Sequence, residues 1–291
     1  MRLSIRHDIV LAYQPAAKSA LGVLRLQPRL CDNQQIQFWN IELDHDCGLN
    51  ARDDAYGNAC RVFHAEGPLE KLTIAASGEI TTFDTAGVLR GAPEPFPPEL
   101  FLRETELTTP DAALAAFAQE VAGAADTALD KPHRLMRALH EMWTPARGNG
   151  QTGAKAFAAR AGDARDMSHA MIAAARALGL PARMVSGYLA VAAEALTAAH
   201  RRQDLHAWAE IFVEGYGWIG FDPTLCLCAT DAHVHLATGP DYADVDPLRA
   251  AFYGGGAVAR VSRLTIADSE GAVLVAPTAE GDALAQTQEQ G

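Results

Sequence analysis

Hydrophobic and polar positions alternate with a period of two through the first third of the chain. Leu3, Ile5, Ile9 and Leu11 alternate with polar neighbours, and residues 21–28 partly repeat the pattern. Residues 35–43, 59–63, 69–74 and 79–83 read as further strands, with a turn at residues 54–58. Short strands separated by turn signals predict a sandwich-like β domain. The Pro-rich run at residues 91–98 breaks regular structure, and from about residue 105 the pattern changes to helical and alanine-rich. Helices are predicted over residues 111–122, 131–143 and 154–160, the last after the loop 148–153.

Residues 162–189 are the stretch around which the rest is organised. Met167, Met171, Ala174, Ala175 and Leu178 recur at helical spacing, Gly179 suits a left-handed C-terminal cap, and Pro181 prevents continuation. The helix enters at Gly162, and its first turn, residues 163–166, aims free N–H groups and the positive dipole end at whatever lies there. That field lowers the pKa of a thiol, so a nucleophilic cysteine belongs at such a place. The chain has Ala164 there.

A strand at residues 182–191 and a surface segment at 192–204 follow. Residues 206–213 form a two-faced strand, with Ala207, Ala209, Ile211 and Val213 on one face and His206, Trp208, Glu210 and Phe212 on the other. The turn at residues 214–217 returns the chain into 218–222. A hairpin centred near Glu214 places His206 and Asp222 side by side. Residues 225–256 read as loop, residues 260–267 and 272–275 as a closing strand pair, and the polar tail from residue 279 as disordered.

The composition is 49% hydrophobic and 21% charged, as in globular proteins, and the formal net charge of -12 argues against nucleic acid or a membrane surface as partner. Residues 1–15 lack the apolar core of a secretory leader, and no apolar run is long enough to span a bilayer. The five cysteines are odd in number and scattered, which disfavours a disulfide framework and suits a cytoplasmic location. Cys226 and Cys228 are too close together for zinc-finger spacing. His233 and His235 would share a face of a strand, but with no third ligand nearby they are expected to be surface residues, and no metal or other cofactor is expected.

Acyl transfer through a covalent intermediate needs a nucleophile, a base and a group that orients the base. His206 and Asp222 supply the last two. The blocks at residues 162–169, 179–189, 206–210 and 217–224, with 242–247 and 254–256, resemble in order those of bacterial transglutaminase-like proteins of the papain-like cysteine-enzyme superfamily. The resemblance extends to the β-rich N-terminal region and covers nearly the whole chain up to the tail. It implies an α+β fold: a β-rich sandwich-like domain at residues 1–105, a papain-like transglutaminase core with a central helix on an antiparallel sheet at 106–276, and a tail at 277–291. It also implies a Cys-His-Asp triad, with Ala164 at the nucleophile position, His206 as base and Asp222 as orienting group. Trp208 is implied as a wall of the site, the alternative being a core position. Ser168 is expected to pack inside, His169 and Asp166 to brace the helix, and Arg183 and Tyr188 have a weak claim to line a cleft.

Two readings follow. One is a peptidase, amidase or amide-forming transferase, acting on a peptide or amide bond, whose nucleophile has been replaced so that the chain as written is inactive. The other is a pseudoenzyme that binds a peptide or protein partner in the same cleft.

Overall fold

The computed structural model describes residues 1–148, 150–191 and 205–276. The chain begins with β1 (Arg2–Leu24), β2 (Gln34–Leu43), β3 (Leu49–Asp53) and β4 (Ala59–Thr82). A helical stretch follows, made of α1 (Ala112–Ala122), α2 (Asp130–Met142), β5 (Thr144–Pro145), α3 (Gly153–Ala159), β6 (Ala161–Gly162) and α4 (Ala164–Ala177). Then come β7 (Ala182–Leu189), β8 (His206–Val213), β9 (Gly217–Asp222), β10 (Leu227–Cys228), β11 (His233–Gly239) and α5 (Tyr242–Val245). The last described elements are β12 (Leu248–Tyr253), β13 (Ala257–Asp268) and β14 (Val273–Val275). The surface segment expected at residues 192–204 and the tail expected from residue 279 lie outside the described residues.

The short N-terminal strands of the sequence pattern are parts of two long ones. β1 and β4 pair antiparallel along both their halves, with the register shifting between Ala12 and Ser19. Pro15 and Pro68 fall within that irregular stretch. Proline lacks the ladder donor, so it breaks the alternation and suggests strand ends where the pairing only bulges. Ile9, Leu11 and Ile74 from one half share a buried core with Ala20, Leu24 and Phe63 from the other. These strands belong to one seven-stranded antiparallel sheet, ordered β14-β13-β1-β4-β2, with β12 on β1 and β3 on β4.

The second sheet is antiparallel, ordered β10-β9-β8-β7-β11. Ala207, Ala209, Ile211 and Val213 of β8 form one core with Met167, Met171 and Ala174 of α4, as the two-faced pattern of β8 requires. α4 is therefore a central helix packed on an antiparallel sheet, in a mixed α+β architecture. A separate core joins the two sheets, with Leu3, Ile5, Ile80 and Ile266 against Tyr188, Val234 and Leu236.

One expectation is corrected and another is extended. Residues 225–256 are not loop: they contain β10, β11, α5 and β12. The closing strands do pair with each other, but β13 also runs along β1 from Leu3↔Asp268 to Gln14↔Ala257, so they complete the first sheet. In both cases the partner is far away in sequence, which local pattern does not reveal.

The ends of α4 follow the sequence closely. The Asp163 carboxylate accepts from the Arg165 and Asp166 N–H groups, and Asp166 accepts from the Asp163 N–H, a reciprocal capping box. At the other end the Leu180 N–H bonds to the Ala175 carbonyl and the Gly179 N–H to that of Arg176. Gly179 has φ +73, so the helix closes in a Schellman motif.

Candidate active site

The hairpin that carries the predicted base and its partner is built one position away from expectation. The β8–β9 ladder runs from Val213↔Gly217 to Ala209↔Phe221 and is centred on Gly215, not Glu214. Gly215, in the middle of the three-residue loop 214–216, and Gly217, the first residue of β9, have φ +85 and +88. Moving the centre by one residue moves every partner by two, and a shift of two preserves the face. His206 and Asp222 therefore sit diagonally instead of directly opposite, still on one face. His206 Nε2 lies 2.6 Å from Asp222 Oδ2.

Asp222 is fully buried, and donors surround it. Its Oδ1 accepts from the Thr224 N–H at 2.9 Å, the Thr224 hydroxyl at 2.6 Å and the Leu225 N–H at 3.3 Å. Its Oδ2 meets His206 and also His233 Nε2, at 3.2 Å. His233 Nδ1 accepts from the Thr230 N–H, so the neutral His233 ring carries its proton on Nε2 and donates it to Asp222. Burial alone would push the Asp222 carboxyl up, but the two histidines outweigh it and hold the group well below the usual carboxylate range. An ionised Asp222 makes His206 Nε2 the proton-bearing nitrogen and leaves Nδ1 as the acceptor.

Ala164 is the first residue of α4 and is fully buried. One turn along, Ser168 is buried as expected, and its hydroxyl donates to the Ala207 carbonyl at 3.2 Å. Ala207 follows His206, so this bond pins the helix start to the open end of the hairpin. The Trp143 indole N–H donates to the Gly162 carbonyl at 3.2 Å, and His140 Nδ1 donates to that of Pro223 at 3.0 Å. These bonds tie the end of α2 to the residues just before Ala164 and just after Asp222. At Gly162 a Cβ would lie 2.6 Å from that of Asp166, so the entry turn has no room for a side chain.

The bracing roles of Asp166 and His169 are visible in their contacts. Burial, reinforced by Asp163, raises the Asp166 carboxyl to about 6. His169 Nε2 accepts from the Tyr242 N–H, and burial lowers the ring to about 4. Trp208 is buried and packs against His206, with ring centroids 6.2 Å apart, and edge-on against His233 at 5.2 Å. Added Cβ atoms at Gly187 and Gly220 would meet the Trp208 ring at 2.6 and 3.3 Å, so both glycines make room for it.

Arg183 and Tyr188 line no cleft. Arg183 is buried in a charge network, bonding to Glu210 at 2.7 Å and to both oxygens of Glu94, with its guanidinium 4.0 Å from the centre of the Trp218 ring. Tyr188 lies between the sheets, bonded to His7. His233 and His235, expected at the surface, are both buried, because β11 joins β7 at the sheet edge and each histidine finds a carboxylate. His233 meets Asp222, and His235 meets Glu210 at 3.0 Å. The signal for β11 was the alternation of His233 and His235 with Val234 and Leu236, a polar pattern that reads as an exposed strand.

The ligand atoms of His206, Asp222 and His233 all lie within 4.8 Å of one another. The donor set does not suit a metal, because the Thr230 N–H on His233 Nδ1 keeps the ring proton on Nε2, the atom that would ligate. All five cysteines are free, and burial is the main cause that raises the pKa of each, taking Cys31 to about 12 and Cys60 to about 11. None of them is an activated thiol. Among the described residues no helix is long and apolar enough to cross a membrane.

Residues 115–223 match the family model described as the transglutaminase-like superfamily, and residues 3–81 match that of the bacterial transglutaminase-like N-terminal region. An uncharacterized protein of Mycobacterium leprae is 24% identical over 272 residues, covering 88% of this chain and 95% of the relative. One from Mycobacterium tuberculosis is 25% identical over 288 residues, covering 87% of this chain and 88% of its own. The crystal structure of a "putative cysteine protease" from Cytophaga hutchinsonii superposes with a TM-score of 0.73 at 19% identity, over 92% of this chain and 91% of that one. That likeness establishes the fold.

Proposed function

Because the chain joins a core of the transglutaminase-like superfamily to a bacterial transglutaminase-like N-terminal region, we propose that it is the scaffold of a cysteine acyl-transfer enzyme of the peptidase, amidase or amide-forming class, with Ala164 at the nucleophile position. The observation that carries this reading is the 2.6 Å bond between His206 and Asp222 at the end of the hairpin that Ser168 ties to the start of α4. In a cysteine form, His206 Nδ1 takes the thiol proton and the helix N-terminus favours the thiolate. The thiolate attacks the acyl carbonyl, the imidazolium returns its proton to the leaving amine, and water or a second amine then releases the acyl group. Asp222 holds the imidazole in its Nε2–H tautomer and offsets the positive charge of the imidazolium.

With alanine at position 164 there is no atom to attack the carbonyl. The chain as written binds an acyl substrate without turning it over, which is also what the pseudoenzyme reading requires. The full set of donors on Asp222 favours the enzyme reading, since a binding cleft has no use for a buried carboxylate that fixes one imidazole tautomer. The test is Ala164→Cys incubated with peptide amides, followed by ammonia release and by amine incorporation. Turnover by Ala164→Cys that disappears in Ala164→Cys/His206→Ala supports the reading. A folded Ala164→Cys protein with no thiol chemistry beyond that of a free cysteine overturns it.

A further inference from the structure

Asp222 Oδ2 is shared by two imidazoles, and only one of them belongs to a triad. His233 lies on β11, a different strand from His206, and its ring is fixed on three sides. The Thr230 N–H holds Nδ1 at 3.1 Å, the Trp208 ring packs edge-on against it, and Nε2 points at Asp222. The direction of this donor is built in: a backbone N–H cannot reverse its role, so His233 Nε2–H can only give to the carboxylate.

We propose that His233 is a positioning residue of the site: its Nε2–H shares Asp222 Oδ2 with His206 and so sets how strongly Asp222 holds the His206 proton. Two donors on one oxygen divide its negative charge, and each bond is weaker than it would be alone. Among the described residues, the ionisable groups that face the carboxylate are His206 from β8 and His233 from β11, with the Cys226 thiol, which feels its charge, from the segment after β9. The residues after β9 supply the neutral donors Thr224 and Leu225, α2 contributes His140 to the Pro223 carbonyl, and β7 places Gly187 opposite His206. Asp222 is thus kept ionised without binding the His206 proton at full strength, so the ring can still move charge between its two nitrogens.

The use of this arrangement in acyl transfer rests on the function proposed above, but its test does not. It is made first on the chain as it stands, with alanine at 164. The His206 Nε2 proton, identified by its loss in His206→Gln, is followed by nitrogen-edited NMR in the parent, in His233→Leu and in His233→Gln. His233→Leu removes the donor at similar volume, and the His206 proton moves downfield as its bond to Asp222 shortens. The Asp222 carboxyl, followed by its carbon shift, titrates about one pH unit higher than in the parent. His233→Gln, which restores an N–H, brings both back.

An unmoved His206 proton in folded His233→Leu overturns the proposal. So does a parent His233 ring with its proton on Nδ1, a measurement that requires no variant to fold. In the Ala164→Cys background, His233→Leu shifts the onset of thiol alkylation to lower pH, and an unshifted onset counts against His233. A free-thiol profile in Ala164→Cys alone defeats the acyl-transfer reading and leaves the NMR result on His233 standing.

Discussion

Ser168 donates its buried hydroxyl to the carbonyl of Ala207 at 3.2 Å, joining the turn after Ala164 to the residue after His206. Among the described residues, α4 and β8 otherwise meet through apolar side chains, which set distance but not register along the helix. A directed bond fixes the register. Ser168→Ala is therefore expected to lower stability by about 1 kcal/mol, read as a lower urea midpoint. In the Ala164→Cys background it also slows His206-dependent alkylation. Unchanged alkylation in a folded Ser168→Ala protein would show that the bond does not align the two elements.

Arg183 is the centre of a buried charge network. Its guanidinium meets Glu210 and Glu94 and stacks on Trp218, while His235 holds the other oxygen of Glu210. Burial works against the ionised Glu210, but Arg183 and His235 outweigh it and bring the carboxyl down to about 2. Arg183→Met strands that carboxylate, and the expected loss is about 3–5 kcal/mol. Equilibrium denaturation decides the point, and a loss below about 1 kcal/mol would mean that water or rearrangement replaces the guanidinium.

The α4 helix and its C-terminal cap were legible in the sequence because their determinants are local, the spacing of Met167, Met171 and Ala174 and the Gly179 stop, whereas Asp163, read as part of the first turn, is the N-cap. The shared face of His206 and Asp222 was legible too, since side-chain alternation survives an even shift. The true register was not, because it depends on Gly217 taking a left-handed conformation just after the turn. β11 was missed because His233 and His235 look like surface residues until β7 buries them and two carboxylates pair with them. The membership of β13 in the first sheet was hidden for a similar reason: its partner, β1, lies at the other end of the chain. Ala164 carries no chemical signal of its own and stands out only through the motif around it.

Acid stability follows from two buried histidines. Burial, helped by Arg260, lowers His7 to about 3, and burial lowers His169 to about 4. In the unfolded chain both titrate near 6.5, so between that value and their folded values the unfolded state binds more protons. Their contribution is complete above about pH 6.5 and is lost as the pH falls through the folded values. Asp166, raised to about 6, works in the opposite sense between its usual value and pH 6, but it offsets only one of the two protons. Burial also lowers His235, which adds to the histidine side, so stability is expected to fall steadily from pH 6.5 to pH 4. Urea midpoints across that range measure the slope, and His7→Gln, which cannot titrate, should flatten it. A slope that His7→Gln leaves unchanged would place the acid-sensitive group elsewhere.

Position 164 is proposed as the nucleophile seat of an otherwise assembled triad. The most direct measurement is the pH profile of alkylation of the new thiol in Ala164→Cys, corrected for the parent chain, whose five thiols are all pushed up and react slowly at neutral pH. The expected profile rises well below the free-thiol value of about 8.5 and loses that early rise in Ala164→Cys/His206→Ala while the protein stays folded. A profile with the midpoint of a free thiol, unaffected by removing His206, would contradict the account.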